Sequence, residues 1–260
     1  MTEIIKIVIV TFIAGMGAGI GTGIAGLSAA AVISPMLITF LDYPAYEAVG
    51  IALASDVLAS AASAYTYHKN KNLDVKNGLI MMFSVLVFTL FGSYLGSFIP
   101  QTTMGNFSIF MTFFLGIKFI IKPVMKTESK MQQIEKKKAA IYSITSGAAV
   151  GMICGLVGAG GGMMMLMVLT MVLGYELKTA VGTSVFIMTF TALTGSVSHF
   201  AINKGITNPL ILILCIVFTL LGAAVSAIFA NKASAKTLNR VIGVGLAILS
   251  LAMIIVTFIK

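Results

Sequence analysis

Long apolar runs follow one another along this chain with only short polar gaps between them. About 20 apolar residues in helical form cross a hydrocarbon core of roughly 30 Å. Runs of that kind fall at 4–23, 46–67, 77–99, 104–122, 139–157, 179–201, 208–230 and 238–259, and two shorter ones at 26–41 and 160–174. Hydrophobic residues make up 58% of the chain and charged residues only 10%, far from the roughly 25% charged of a soluble domain. Eight acidic residues and two histidines cannot coat a water-soluble surface of this size. The expected fold is an all-α polytopic membrane protein of about 8–10 segments, with the lipid bilayer as its solvent.

The formal net charge is +9, but its placement argues against nucleic acid. The cations sit in gaps between apolar runs, the footprint of the positive-inside rule, and form no basic face. The one long polar stretch, 122–138, carries six lysines against Glu128 and Glu135. The gaps at 68–76 and 231–240 are also basic, whereas Asp42, Glu47, 100–103 and the lone Lys204 mark the opposite side. The reading is a cell inner-membrane protein with the 122–138 linker cytoplasmic and both termini outside. The first apolar run has no small-residue cleavage site after it and is read as a retained span. Cys154 and Cys215 lie inside apolar segments, which argues against a disulfide.

A second feature is internal repetition. Gly15, Gly19, Gly23, Gly26, Leu37, Leu41, Tyr43, Ala48, Val49 and Gly50 recur, each 132 residues later, as Gly147, Gly151, Gly155, Gly158, Leu169, Leu173, Tyr175, Ala180, Val181 and Gly182. Ten identities in register divide the chain into a first repeat (1–121), the linker (122–138) and a second repeat (139–260). Each repeat has an odd number of crossings, so the second is expected to be inverted relative to the first. Inverted repeats with interrupted helices are a transporter pattern, with the site near the midplane where the halves meet.

At these residues the chain resembles the sulfite exporter TauE/SafE family. The second half carries the likeness most fully, in Gly155-Leu-Val-Gly158-Ala-Gly160-Gly161-Gly162, Tyr175, Ala180-Val181-Gly182-Thr183-Ser184 and Gly195-Ser-Val-Ser-His199. The first half repeats it more weakly in Gly23-Ile-Ala-Gly26-Leu-Ser28, Glu47-Ala48-Val49-Gly50 and Tyr67-His68. It departs from the pattern with Ser28 and Ala29 in place of Gly160 and Gly161, and with Ile51 and Ala52 in place of Thr183 and Ser184. The resemblance implies movement of small sulfur-containing or organic anions such as sulfite and sulfonates.

Glycine clusters inside apolar sequence either break a helix or let backbones pack closely. Free N–H groups at the start of a half-helix attract anions. The expected substrate site therefore takes in Gly23, Gly26 and Ser28 from the first half, and Gly158, Gly160, Gly161, Gly162, Thr183 and Ser184 from the second. Gly92/Gly96 and Gly222/Ser226 are read as packing contacts alone. Asp56, ten residues into its span, is an ionisable group at costly depth; it and His199 are the candidates for proton coupling. Met188 stands at the position in the second half that corresponds to Asp56. Cys154 beside the glycine turn is a packing residue or a soft contact, and Lys118 snorkels to the interface. No Walker motif, metal-ligand set or nucleophile elbow is present, so no cofactor, metal or enzymatic activity is expected. The function read is a secondary transporter, an exporter, of small anions; an anion-selective channel and a non-transporting accessory subunit remain the alternatives. A homodimer is left open.

Overall fold

A computed structural model describes residues 2–121, 136–158, 161–203 and 205–232, and a few isolated positions between 244 and 255. Most of the 122–138 linker, Gly160, Lys204, the side chain of Lys118 and most of the last run at 238–259 lie outside the described residues. The described chain is helical throughout: α1 Thr2–Ala25, α2 Ile33–Leu41, α3 Ala45–Lys69, α4 Val75–Gly96, α5 Gln101–Ile121, α6 Lys136–Val157, α7 Gly161–Met167, α8 Leu177–Ile202 and α9 Pro209–Ala230. Six of these, α1, α3, α4, α6, α8 and α9, are long and apolar enough to cross a membrane. Their boundaries fall within three residues of the apolar runs.

Capping chemistry sets several ends. Asp74 accepts the Asn77 N–H at 3.1 Å to start α4. Asn208 accepts the Leu210 N–H at 3.1 Å to start α9, with Pro209 at its first helical position, where a missing N–H costs nothing.

The two short runs behave differently from the long ones. The run at 26–41 becomes a one-turn 3₁₀ segment, Ala29–Ala31, followed by the nine residues of α2. The run at 160–174 becomes α7 followed by a π-turn, Val168–Val172. At 1.5 Å per residue α2 is about 14 Å long, less than half of a hydrocarbon core. Neither arm spans. Each is preceded by a glycine in the left-handed region, Gly26 at φ 62° and Gly158 at φ 68°, where a Cβ is disfavoured. The equivalent glycines of the two halves thus take the same left-handed conformation.

Helix partners alternate between halves. Gly15, Gly19 and Gly23 of α1 lie against successively later residues of α9, around Phe218–Thr219, Gly222–Ala223 and Ser226–Ala227, so the two helices run parallel. Gly147, Gly151 and Gly155 of α6 meet α4 in the same progression, at Met81–Ser84, Val85 and Thr89–Ser93. A Cβ at Gly19, Gly23, Gly151 or Gly155 would collide with the partner's backbone, so these glycines set the approach of helices as small-residue stripes do in lipid. Gly92 against Met152 and Gly155, Gly96 against Leu156, and Gly222 against Met16 and Gly19 serve the same contacts, as does Ser226, whose hydroxyl lies 3.3 Å from the Gly19 carbonyl.

Between these two pairs lie α3, packed on α9, and α8, packed on α4; α3 is the most enclosed of the six long helices, with 67% of its apolar window buried against 39% for α1, α4, α6 and α9. It runs antiparallel to α8: Gly50 meets His199, Leu53 meets Gly195 and Tyr67 meets Gly182. The outer surface carries Phe83, Phe98, Phe229, Val225 and Ile213, all strongly exposed. Such a continuous apolar exterior is incompatible with water and is matched by lipid.

Candidate functional site

The two glycine turns meet each other at the centre of this arrangement. A Cβ at Gly162 would run into the carbonyl of Gly26 and the amide of Ser28. The Ser28 hydroxyl donates to the Gly158 carbonyl at 3.1 Å. Gly26 lies against Val181, Ser184 and Val185 of α8, and Gly158 against Val49 and Leu53 of α3. Val49 and Leu53 are the counterparts, 132 residues earlier, of Val181 and Val185. Each half therefore seats its turn on the long helix of the other.

Asp56 stands in this junction with no exposed surface. A carboxylate away from water is tolerable only when its oxygens are satisfied. Oδ2 accepts the Ala29 N–H at 3.0 Å, and Oδ1 accepts the Ser60 hydroxyl at 2.9 Å. Thr22 Oγ1 lies 3.3 Å from Oδ1 and 2.8 Å from the Leu27 carbonyl. Thr22 has one hydroxyl hydrogen, so it serves one of these acceptors at a time. The free amide expected at the start of the first arm is thus occupied by a carboxylate of the chain itself. At the second turn Met188 replaces that carboxylate; its sulfur and Cys154 Sγ flank Gly161.

Of the residues expected at the site, Gly26, Ser28, Gly158, Gly161, Gly162, Ser184 and Asp56 are brought together. Gly23 faces α9 and offers its carbonyl to the Tyr67 hydroxyl at 3.1 Å. Thr183 turns to the α3–α4 loop, where its hydroxyl oxygen accepts the Asp74 N–H at 3.1 Å. His199 lies apart. Its ring is fully buried, stacked on Tyr46 with centroids 4.2 Å apart. Its partner by sequence position in the first half is Tyr67, and His68 is exposed.

Sequence reasoning missed Thr22 and Ser60. Ser60 was visible as a hydroxyl four residues after Asp56, on the same helical face. It also missed two fastenings at opposite ends of the α3–α8 pair. Glu47 accepts the Thr207 N–H at 2.6 Å, the Thr207 hydroxyl at 2.8 Å and the Tyr43 hydroxyl at 3.2 Å. At the other end Asp74 accepts the Tyr175 hydroxyl at 3.0 Å. Tyr43 and Tyr175 are repeat equivalents, and each follows its arm. Burial, then the charge of Glu47, pushes the Tyr43 phenol up to about 12. Burial, then Asp74, pushes the Tyr175 phenol up as well. Both phenols therefore stay protonated and able to donate at neutral pH.

Comparison with known proteins identifies the family. A family model described as "Sulfite exporter TauE/SafE" matches residues 11–253. The chain is 28% identical over 215 residues to "Probable membrane transporter protein YdhB" of Bacillus subtilis (strain 168), covering 82% of this chain and 86% of that one. It is 26% identical over 266 residues to "Probable membrane transporter protein YunE" of the same organism, covering 95% and 97%. It is 26% identical over 211 residues to "Probable membrane transporter protein MJ0441" of Methanocaldococcus jannaschii, covering 77% and 75%. No solved structure gives a significant match. With a multi-pass helical body and a family match over most of its length, this chain belongs to the sulfite exporter TauE/SafE family, a family of transporters and not of enzymes.

Proposed function

We propose that the chain is a secondary transporter that exports small anions, such as sulfite, sulfonates and related organic acids, by alternating access between two inverted repeats. The observation that carries this reading is the contact of the two glycine turns around Asp56. Two features support inversion: the equivalent helices α3 and α8 run antiparallel, and α1 pairs with α9 just as α6 pairs with α4. The repeats are 1–121 and 139–260, joined by the cytoplasmic linker 122–138, with both termini outside in the cell inner membrane. One copy carries both halves of the site, so a second copy is not required.

In this reading the anion is held by the backbone amides of Gly161 and Gly162 beside the Gly158 turn, with Gly26, Ser28 and Ser184 across from it. Gly160, which lies outside the described residues, is assigned to the same anion site. Gly23 and Thr183 act from the flanks, one by fixing α1 on α9 and the other by fixing the α3–α4 loop. Asp56 is the coupling group. As a carboxylate it holds the Ala29 amide and repels a second anion. Proton uptake removes that charge, lets Thr22 settle on the Leu27 carbonyl and frees the junction to take the substrate. Such a two-state element, biased by both proton and anion, is the minimum that coupled transport needs.

The test is flux of labelled sulfite and of a sulfonate in proteoliposomes, with and without an imposed pH gradient. Saturable uptake, counterflow and a response to the gradient are expected. Linear, non-saturating flux without counterflow indicates a channel, and no flux of any anion under either condition removes the transport reading.

A further inference from the structure

His199 has no exposed surface, and neither ring nitrogen has a hydrogen-bond partner among the described residues. That is costly for a polar ring in a membrane protein, where no bulk water can substitute. The repeat shows that the cost is not dictated by the fold. Tyr67 occupies the equivalent place, packed against Gly182 as His199 is packed against Gly50, and its hydroxyl is satisfied by the Gly23 carbonyl. A tyrosine is compatible with this architecture; the second half carries an imidazole instead.

A second orphan lies on the neighbouring helix. Ser93 Oγ is buried without a partner among the described residues, while the Ser93 carbonyl accepts the Tyr46 hydroxyl at 2.9 Å. Tyr46 thus joins the two, stacked on His199 and bonded to Ser93. One turn earlier on each helix, Thr89 of α4 meets Gly195 of α8. Leu53 touches both Gly158 and Gly195, so this one side chain lies between the glycine turns and the His199 turn of α8. Beyond His199, at the start of α3, is the Glu47–Thr207 fastening.

We propose that His199 and Ser93 form a second holding position for the transported anion, between the glycine turns and the Glu47 end of the molecule. The ligand class is a small oxyanion of the sulfite or sulfonate kind. A neutral imidazole supplies one N–H donor and one acceptor nitrogen, and the serine hydroxyl supplies another donor. The imidazole N–H and the serine hydroxyl hold two of the oxyanion's oxygens; the acceptor nitrogen points away on its own side of the ring. The inference rests on the transport reading for its ligand, but its site and residues are separate.

The chain has two histidines, which makes the test direct. The full-length protein, labelled with ¹⁵N-histidine in lipid nanodiscs, is titrated with sodium sulfite, with sodium sulfoacetate, and with sodium chloride at matched ionic strength. The ring resonances of buried His199 are expected to move with sulfite or sulfoacetate and not with chloride, while those of exposed His68 stay still. In parallel, His199→Phe keeps the stacked ring and removes the nitrogens. Its melting temperature should equal or exceed that of the parent, while KM for sulfite flux rises about tenfold, the loss of one hydrogen bond to an anion. Ser93→Ala should raise KM less. Flux with unmoved His199 resonances and unchanged KM in His199→Phe would overturn the holding position and leave the transporter intact. Absence of both flux and resonance shifts would overturn the two together.

Discussion

The two glycine turns share a left-handed glycine and differ in chemistry. Both rest on the long helix of the opposite half. The first turn is closed by its own carboxylate, which takes the Ala29 amide and the Ser60 hydroxyl, with the Thr22 hydroxyl shared between it and the Leu27 carbonyl. The second faces Met188 and Cys154, which are soft and uncharged. The 132-residue register relates the two turns, and one acid, Asp56 opposite Met188 in that register, sets them apart. In the proposed mechanism this difference is what gives a proton something to act on.

The comparison can be broken most severely at the contact itself. Gly162→Ala drives a methyl group into the backbone of Gly26 and Ser28. Backbone cannot yield as a flexible side chain does, so a loss of about 3 kcal/mol or more is expected. The measurements are melting in detergent and sulfite flux, both of which should collapse; a variant that melts and transports normally would mean that the turns do not touch.

Removing the acid should cost less and be more informative. Asp56→Ala strands the Ala29 amide and the Ser60 hydroxyl, a destabilisation of about 1–3 kcal/mol. Asp56→Asn preserves size and one acceptor. It should keep most of the stability and lose the response of flux to a pH gradient. A pH response that survives in Asp56→Asn removes Asp56 from coupling. Met188→Asp, the converse change, should put an acid at both turns and suppress anion flux.

The end fastenings sharpen the comparison more gently. Glu47→Gln exchanges one acceptor oxygen for a donor among three hydrogen bonds, and Tyr175→Phe deletes the single bond to Asp74. Effects of roughly 2 kcal/mol and 1 kcal/mol on stability are expected in that order. Accessibility of cysteines introduced at each end to a water-soluble thiol reagent should rise only at the end whose fastening is cut.

Much of the frame could be read from residue order. Apolar length located the long helices because lipid leaves the backbone no other economical form. The 132-residue register singled out Gly15, Gly19 and Gly23 with their copies, and those are the residues that set the α1–α9 and α4–α6 approaches. Depth in its span marked Asp56. What could not be read was which groups face each other across helices. Ser28 reaching Gly158, Thr183 turning to Asp74 rather than to the glycines, and Glu47 binding Thr207 all join positions more than 100 residues apart. Spacing along one helix carries no information about such partners. His199, read as a residue flanking the end of its helix, is enclosed because α3 packs against α8 with only Gly50 opposite.

The exchange of partners between halves bears on how the protein is made. Synthesis delivers α1 to the bilayer well before α9 exists, so the glycine face of α1 must wait, without its mate, for nearly the whole chain to emerge. Neither half, expressed alone, can bury that face or its counterpart on α6. Two separately produced fragments divided in the linker should be cleared from the cell one by one, yet persist when they are synthesised together.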